Sequence, residues 1–323
     1  MHKLIAAALL GSTTLLPALP AQAQQWPTKP ITLVAPFPAG GGTDAFARPL
    51  AVQLGKQLGR SIVIDNRGGA GGTVGASFAA HAAPDGYTFL IGALHHAIAP
   101  SFYNKLDYDV ERDLVPLTTI ANPPQVVVVN AQKLPARNLQ EMITEVRKRP
   151  GKFNYGSAGN GTSHHLAGEL FKQLSKTYIT HIPYRGAGPA LQDLIAGQVE
   201  IMFDGLGSSA QHIKAGRIRA LAVASAKRAP GFPDVPTAAE AGLKGYEVST
   251  WYALFGVKGT PREILERMHA ETVKAIATPE LREVWTSNGS DSQTMSPDQF
   301  AAFLKSEIAR WAKVTRESGA TLD

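Results

Sequence analysis

The residues of this chain that are best suited to chemistry lie in two short loops with the shared pattern A-G-x-G-T. One loop covers residues 39–43 and the other covers residues 158–162, and each is predicted to follow a strand and open a helix. The first turn of a helix carries unpaired N–H groups and the positive end of the helix dipole. Glycine lets a ligand approach the backbone closely, so each loop is a candidate anion site.

Taken alone, either loop could equally be a tight turn between a strand and a helix. Their occurrence once in each half of the chain favours a pair of sites that face each other across a cleft. A small molecule with a carboxylate, or with one at each end, would suit such a cleft. Thr43 or Asp44 is predicted to cap the first helix, and Thr162 or Ser163 the second. Neither loop is a P-loop, and no G-x-G-x-x-G fingerprint follows a strand.

Other polar residues allow two interpretations each. Arg185 could clamp a carboxylate with a two-pronged pair of charged hydrogen bonds, or it could pair with Asp193. Asp204 ends a predicted strand, where it would suit an ammonium or hydroxyl group or accept N–H bonds from a neighbouring loop. His165 could point into the cleft or away from it, and His164 is expected to face solvent.

Strands and helices alternate along most of the chain, which indicates an α/β protein with parallel sheets. Phe46, Leu50, Leu54 and Leu58 recur every four residues and mark one face of the first helix. The predicted strands cover residues 31–37, 61–65, 87–92, 125–129, 153–157, 180–183, 199–203, 220–224 and 250–257. The predicted helices cover a segment starting at 43, then 73–83, 139–148, 163–174, 189–196 and most of the chain after 261.

The alternation of strands and helices is interrupted near residue 120 and restarts after residue 151, which predicts two α/β units. The first would contain residues 24–122 plus 253–323, and the second residues 123–252. Two crossings between the units would form a hinge, and hinged two-lobe proteins close around a ligand in the cleft.

The chain begins with a short positively charged segment, followed by an apolar run and an A-x-A cleavage pattern at residues 21–23. This order predicts a secretory signal peptide over residues 1–23. The 323 residues include no cysteine, which excludes a disulfide scaffold and any cysteine-ligated metal. The net charge of +6 is spread along the chain, so no nucleic-acid patch is indicated. No internal apolar run is long enough to span a membrane.

Several stretches resemble one known family. The opening V-A-P-F-P-A-G-G-G-T-D at 34–44 and the later Y-G-S-A-G-N-G-T-S-H-H at 155–165 are similar to the Bug-type receptors. These are the periplasmic solute-binding proteins of tripartite tricarboxylate transporters. Further matching stretches, in the family's order, are residues 65–72, 84–88, 181–186, 193–199, 202–204 and 234–237.

The resemblance implies a two-lobe type II periplasmic-binding fold with a hinge of two crossover strands. It also implies no catalysis, no cofactor, and delivery of a carboxylate to the permease subunits of a membrane transporter. In the family, the loops matching 37–44 and 157–162 hold the carboxylate, partly through water. The resemblance assigns to the site Phe37, Gly41, Gly42, Thr43, Asp44, Ser157, Asn160, Gly161 and Thr162. The further predicted site residues are Ala70, His165, Arg185 and Asp204.

One departure from the family pattern is the pair His95 and His96 after the third strand, where many relatives carry small or hydroxylated residues. At the carboxyl end of a strand these side chains would lie near the cleft. They could bind a distal carboxylate or stack on a ring, which would favour an aromatic dicarboxylate such as a phthalate. Either histidine could instead pack in the core or face solvent.

Three alternatives stay open at this point. A Ser157–His165–Asp204 hydrolase can be drawn, although no G-x-S-x-G elbow is present. A receptor that signals to a partner protein would have the same sequence pattern as a transport receptor. A histidine-ligated metal is disfavoured, because no H-E-x-x-H or similar spacing occurs. We expect a periplasmic monomer that binds neither metal nor nucleic acid.

Overall fold

The computed structural model describes residues 26–291 and 293–318. The predicted signal peptide at 1–23 lies outside the described residues. Ten strands form two five-stranded sheets, each covered by helices on both faces, so the chain folds into two lobes. No helix in the described part of the chain is long and apolar enough to cross a membrane.

The first lobe contains the strands β1, β2, β3, β4 and β10 in the order β2-β1-β3-β10-β4. The first three strands are parallel, whereas β10 runs antiparallel to both of its neighbours. The sheet is therefore mixed, and the prediction of a purely parallel sheet is wrong. The strands are β1 (Ile31–Ala35), β2 (Ile62–Asn66), β3 (Thr88–Ala93), β4 (Leu114–Ala121) and β10 (Tyr252–Val257).

The second lobe contains five strands in the order β7-β6-β8-β5-β9. The strand β5, which lies between β8 and β9, is apolar after its first residue and buried along its whole length, as its valine run predicts. It pairs antiparallel with both neighbours. The strands are β5 (Gln125–Val129), β6 (Asn154–Ser157), β7 (Thr180–Pro183), β8 (Ile201–Gly205) and β9 (Arg219–Val223).

Helices sandwich both sheets. In the first lobe α1 (Gly42–Leu58), α8 (Arg262–Ile276) and α9 (Pro279–Ser287) pack on one face. The other face carries α2 (Thr73–Ala80), α3 (His95–Phe102) and α10 (Pro297–Ser318). In the second lobe the corresponding helices are α4 (Leu139–Lys148), α5 (Ser163–Ser175), α6 (Ala187–Ala196) and α7 (Leu206–Lys214).

The helices agree with the sequence prediction only in part. The chain after residue 261 is mostly helical, as predicted, and forms three helices, which are separated at Ala277 and Thr278 and again around Gly289, whose φ of 71° is left-handed. The segments that form α3 and α7 were not predicted to be helical. Both are mostly buried.

The chain passes between the lobes twice, after β4 and before β10. The two passages lie side by side, because the Gln125 N–H donates to the Val248 carbonyl at 3.0 Å and the Thr250 N–H donates to the Pro123 carbonyl at 3.2 Å. A paired connection of this kind is the hinge about which two-lobe binding proteins open and close.

Candidate functional site

Four helices begin at one cavity between the lobes. The first residues of α1 and α3 reach it from the first lobe, and those of α5 and α6 reach it from the second. No lysine, arginine or acidic side chain of the described residues is in its lining. The lining residues are Phe37, Gly41, Gly42, Thr43, Ala93, His95, Ala158, Thr162, Ser163, His164, Ala187, Thr250 and Tyr252.

The ends of these helices are poorly capped by side chains. No side chain accepts a capping hydrogen bond at the start of α1, α3 or α6, whose N-cap residues are Gly41, Leu94 and Gly186. Only α5 has a side-chain cap, from Thr162. The cavity therefore receives unpaired N–H groups and positive dipole ends without any formal charge, an environment that suits an anion.

The cavity is small, with about 30 Å³ available to the centres of water molecules. This holds roughly two waters. Glycine residues allow the lobes to come this close. A Cβ on Gly188 would lie 2.5 Å from the Ala39 carbonyl oxygen of the other lobe, and one on Gly161 would lie 2.5 Å from the Phe102 ring.

In the first loop, Asp44 binds the loop itself and does not line the cavity. Its carboxylate accepts hydrogen bonds from the Gly40 N–H at 3.1 Å, from Arg48 Nε at 2.8 Å and from Asn66 Nδ2 at 2.9 Å. The prediction that Thr43 or Asp44 caps α1 is wrong, because the N-cap is Gly41. Asp44 lies inside the helix, and its carboxylate turns back to fix the glycine loop.

In the second loop, the predicted cap is confirmed. Thr162 Oγ1 accepts from the His165 N–H at 3.5 Å and donates to the Gly159 carbonyl at 2.7 Å. Ser157 is fully buried and does not line the cavity. Its Oγ lies 2.6 Å from His181 Nε2 and accepts the Gly159 N–H at 3.0 Å, so it too shapes the loop.

The two histidines of α3 form a chain of hydrogen bonds that starts at the Ala93 N–H. His96 is completely buried, and its Nδ1 accepts the Ala93 N–H at 3.1 Å. Burial lowers the pKa of His96 to about 3, so the ring is neutral at pH 7 and carries its proton on Nε2. That proton points to His95 Nε2, 3.1 Å away. His95, whose pKa burial also lowers, must then be protonated on Nδ1.

His95 lines the cavity and His96 does not. The ring of His95 meets Phe37 edge-on, with centroids 4.7 Å apart. The structure thus separates the two histidines that the sequence treats alike. His95 offers a Nδ1–H donor, whereas His96 sets the tautomer of His95 from behind.

An outer cavity of about 350 Å³ adjoins the inner one. Phe37 and Ala158 line both cavities and stand between them. Three predicted site residues belong to this outer cavity and not to the inner one, namely Ala70, Asn160 and Arg185. The remaining lining residues are Gly69, Gly71, Tyr103, Gly159, Pro183 and Tyr184. Gly161 lines neither cavity and packs on Phe102.

The two histidines that open α5 have different surroundings. His164 lines the inner cavity and is only 7% exposed, so the prediction that it faces solvent is wrong. His165 lies beneath the loop, where its Nδ1 accepts the Gly161 N–H at 3.3 Å and its ring stacks on His181 with centroids 4.2 Å apart. The rotation of α5 about its axis decides whether His164 or His165 faces the cavity, and the Thr162 cap fixes that rotation.

Asp204 lies behind His164 and is completely buried. Its Oδ2 accepts hydrogen bonds from Ser208 Oγ at 2.7 Å and from Ser209 Oγ at 2.5 Å. Ser157, His165 and Asp204 do not form a catalytic triad, since Ser157 pairs with His181 and Asp204 faces His164. Within residues 26–291 and 293–318, no cluster of three or more histidine and acidic side chains could hold a metal ion.

Several lining residues were missed from the sequence. His164 was predicted to face solvent, and the start of α6 at Ala187 was considered only as part of the loop that contains Arg185. Gly186, which precedes α6, could have indicated a third helix that starts after a glycine. Its φ of 144° is one that glycine adopts readily. Thr250 and Tyr252 lie where the chain returns to the first lobe, and no local pattern distinguishes them.

Two lobes joined by a double crossing, with a cavity at the junction, are typical of a solute-binding protein. The profile of the tripartite tricarboxylate transporter family receptor matches residues 46–320. The chain belongs to this family of periplasmic solute-binding receptors, whose members are not enzymes, so the hydrolase alternative is discarded.

Individual relatives agree with this assignment. Protein BugT of Bordetella pertussis is 37% identical over 307 residues, which cover 94% of each chain. An R. palustris protein solved with adipate is 37% identical with a TM-score of 0.88, covering 92% of this chain and 100% of that one. MatC from Rhodopseudomonas palustris with bound malate is 35% identical with a TM-score of 0.83, covering 90% of this chain and 99% of that one.

Proposed function

We propose that this receptor binds a small dicarboxylate in the inner cavity and delivers it to the permease subunits of a tripartite transporter. The observation that carries the proposal is the convergence of four helix N-termini on a cavity without charged lining side chains. A carboxylate there would gain several N–H donors and four favourable dipole ends. No fixed cation would hold it irreversibly, which suits a ligand that must be released.

A dicarboxylate is favoured over a monocarboxylate because a second donor faces the same space. His95 Nδ1–H can bind a distal carboxylate oxygen, and Arg185 in the outer cavity can bind one at the end of a longer chain. The solved relatives hold malate and adipate, both dicarboxylates. An aromatic diacid such as phthalate belongs to the same proposal, since the rings of Phe37 and His95 could stack on it.

The cavity is too small for any of these ligands in the arrangement described. The lobes must therefore part for a ligand to enter, and they must close again around it. The proposed lobes are residues 24–122 plus 253–323 and residues 123–252. Sheet membership supports this division, because β1 to β4 and β10 fall in the first lobe and β5 to β9 in the second.

Export and partners complete the proposal. The sequence pattern of residues 1–23 supports a cleaved signal peptide, and a receptor in the periplasm would meet the permease as a monomer. A bound ligand would stabilise the closed form by mass action. The permease would then distinguish loaded from empty receptors by the distance between the lobes.

The test is a calorimetric and thermal-shift screen of the mature protein after removal of any retained ligand. The panel contains succinate, malate, adipate, citrate and phthalate, with the mono- and diamides of the best acid as controls. We expect at least one diacid to bind with micromolar affinity or better and its diamide to be silent. Silence of all acids with a folded protein, or equal binding of the diamide, would refute the proposal.

A further inference from the structure

His164 and Asp204 form a buried pair whose facing atoms have no other partner. His164 Nδ1 lies 3.5 Å from Asp204 Oδ1, and both atoms are fully buried without a hydrogen bond to any described residue. The other carboxylate oxygen of Asp204, Oδ2, accepts hydrogen bonds from Ser208 and Ser209. The imidazole and the carboxylate can therefore satisfy each other only across this gap.

The protons of this pair can be placed from its neighbours. Two serine hydroxyls donate to Asp204 Oδ2, and α7 begins two residues later, so hydroxyl donors and a helix N-terminus both favour the ionised carboxylate. Burial raises the pKa of Asp204, and the neighbouring His164 and the two serines oppose that shift. Burial also lowers the pKa of His164, which is therefore neutral.

A neutral imidazole beside a carboxylate places its single proton on the nitrogen that faces the carboxylate. His164 thus carries its proton on Nδ1, toward Asp204. Its Nε2 is left as an acceptor, with no hydrogen-bond partner among the described residues, on a ring that lines the cavity. His95 of the first lobe also lines the cavity and carries its proton on Nδ1. The cavity therefore contains one imidazole donor and one imidazole acceptor among the N–H groups.

We propose that His164 Nε2 accepts a hydrogen bond from a hydroxyl group on the ligand, which makes the receptor selective for 2-hydroxycarboxylates. An anion has no proton to give an acceptor, so a plain diacid leaves His164 Nε2 unpaired, and burying an unpaired acceptor is costly. A hydroxyl next to the bound carboxylate supplies that proton. Asp204 is a positioning residue, because it fixes the tautomer of His164. This inference rests on the carboxylate-receptor function proposed above.

The affinity test uses matched pairs that differ by one hydroxyl, namely succinate with malate and glutarate with 2-hydroxyglutarate. In at least one pair we expect the hydroxy acid to bind about 10-fold more tightly to the native protein, as one hydrogen bond to a buried acceptor predicts. His164→Phe should reduce that ratio to about 1, whereas His81→Phe, at an exposed position, should leave it unchanged.

The tautomer test does not depend on a ligand. In the ¹⁵N-labelled protein, the resonances lost in His164→Phe identify His164, and they should report protonation at Nδ1. Asp204→Asn removes the charge while keeping the shape, and it should move the proton to Nε2 and abolish the preference for hydroxy acids.

The outcomes separate the two proposals. Equal affinity for both members of every pair, or tighter binding of aspartate than of malate, overturns the hydroxyl assignment and leaves the carboxylate receptor standing. An Nε2–H tautomer in the native protein overturns it as well. Absence of binding by every acid overturns both.

Discussion

The Tyr103 hydroxyl donates a hydrogen bond to the backbone carbonyl of Asn160 at 3.3 Å. Tyr103 follows α3 in the first lobe, and Asn160 lies in the glycine loop of the second. Burial raises the pKa of Tyr103, so the hydroxyl keeps its proton. A Cβ on Gly71 would lie 2.6 Å from this hydroxyl, so glycine is needed beside the contact. The bond can form only while the lobes are together.

Removing this bond should weaken closure without harming either lobe. Tyr103→Phe loses one neutral hydrogen bond, worth about 0.5–1.5 kcal/mol, so the ligand Kd should rise about 2- to 10-fold. Most of the change should appear as faster dissociation. Stopped-flow kinetics would measure it, with Tyr178→Phe as a matched control because Tyr178 is 60% exposed. Identical dissociation rates in Tyr103→Phe and the wild type would show that the contact has no role.

The glycines at the lobe junction should differ in their tolerance of alanine. At Gly188 a Cβ would lie 2.5 Å from the Ala39 carbonyl oxygen, whereas at Gly41 it would lie 3.5 Å from the Ala187 Cβ, an ordinary contact. Gly188→Ala should cost the closed state about 1–3 kcal/mol, or about 5- to 150-fold in Kd. Gly41→Ala should bind nearly as the wild type does. Calorimetry on the two variants decides, and equal affinities would contradict the predicted steric difference.

Acidification should destabilise the fold through His96. Its folded pKa of about 3 lies below the ordinary value of 6.5, so between these pH values only the unfolded chain takes up the proton. The free energy of unfolding should therefore fall as the pH drops from about 6.5 towards 3, by up to about 1.4 kcal/mol per unit from this group. His95 and His164 act in the same direction.

The share of His96 can be isolated with a variant. His96→Asn keeps an acceptor for the Ala93 N–H but does not titrate, so urea unfolding at pH 7.5 and 5.0 should show a smaller loss of stability than in the wild type. His81→Asn, at an exposed position, is the control and should keep the wild-type loss. An unchanged loss in His96→Asn would mean that His96 does not titrate as described.

Asp44 and its partner Arg48 should contribute very differently to stability. Asp44→Ala leaves three donors, the Gly40 N–H, Arg48 Nε and Asn66 Nδ2, without their acceptor, and it should cost about 2–3 kcal/mol and weaken ligand binding. Arg48→Gln removes a half-exposed ion pair and an exposed hydrogen bond to Asn66 Oδ1, and it should cost less than about 1 kcal/mol. Chemical denaturation and calorimetry on both variants would measure this, and equal costs would assign the loop's stability to the ion pair instead.

Local signals were enough to predict much of the fold. The bounds of α4 and β7 agree with the structure to the residue. The end of α4 is marked in the sequence by Pro150 and Gly151, which follow it closely. The two glycine loops were recognisable because a strand end, a glycine turn and a helix start lie within a few residues of one another. The Thr162 cap is equally local.

Contacts between distant segments could not be read in this way. The pairing of β10 between β3 and β4 joins residues more than 130 positions apart, so a parallel sheet was the wrong expectation. The segment of α3 contains Pro100 and is buried on most sides, so it shows no amphipathic period. The roles of His164 and His165 depend on the rotation of α5 against β8, which sequence spacing does not fix.

The most direct test of the central claim is a crystal structure of the receptor with the tightest-binding acid of the screen. We expect one carboxylate of the ligand within 3.2 Å of first-turn N–H groups of α1 and α5, with His95 and His164 facing the same ligand. A ligand held only in the outer cavity, by Arg185 and without contact to these helix starts, would contradict it.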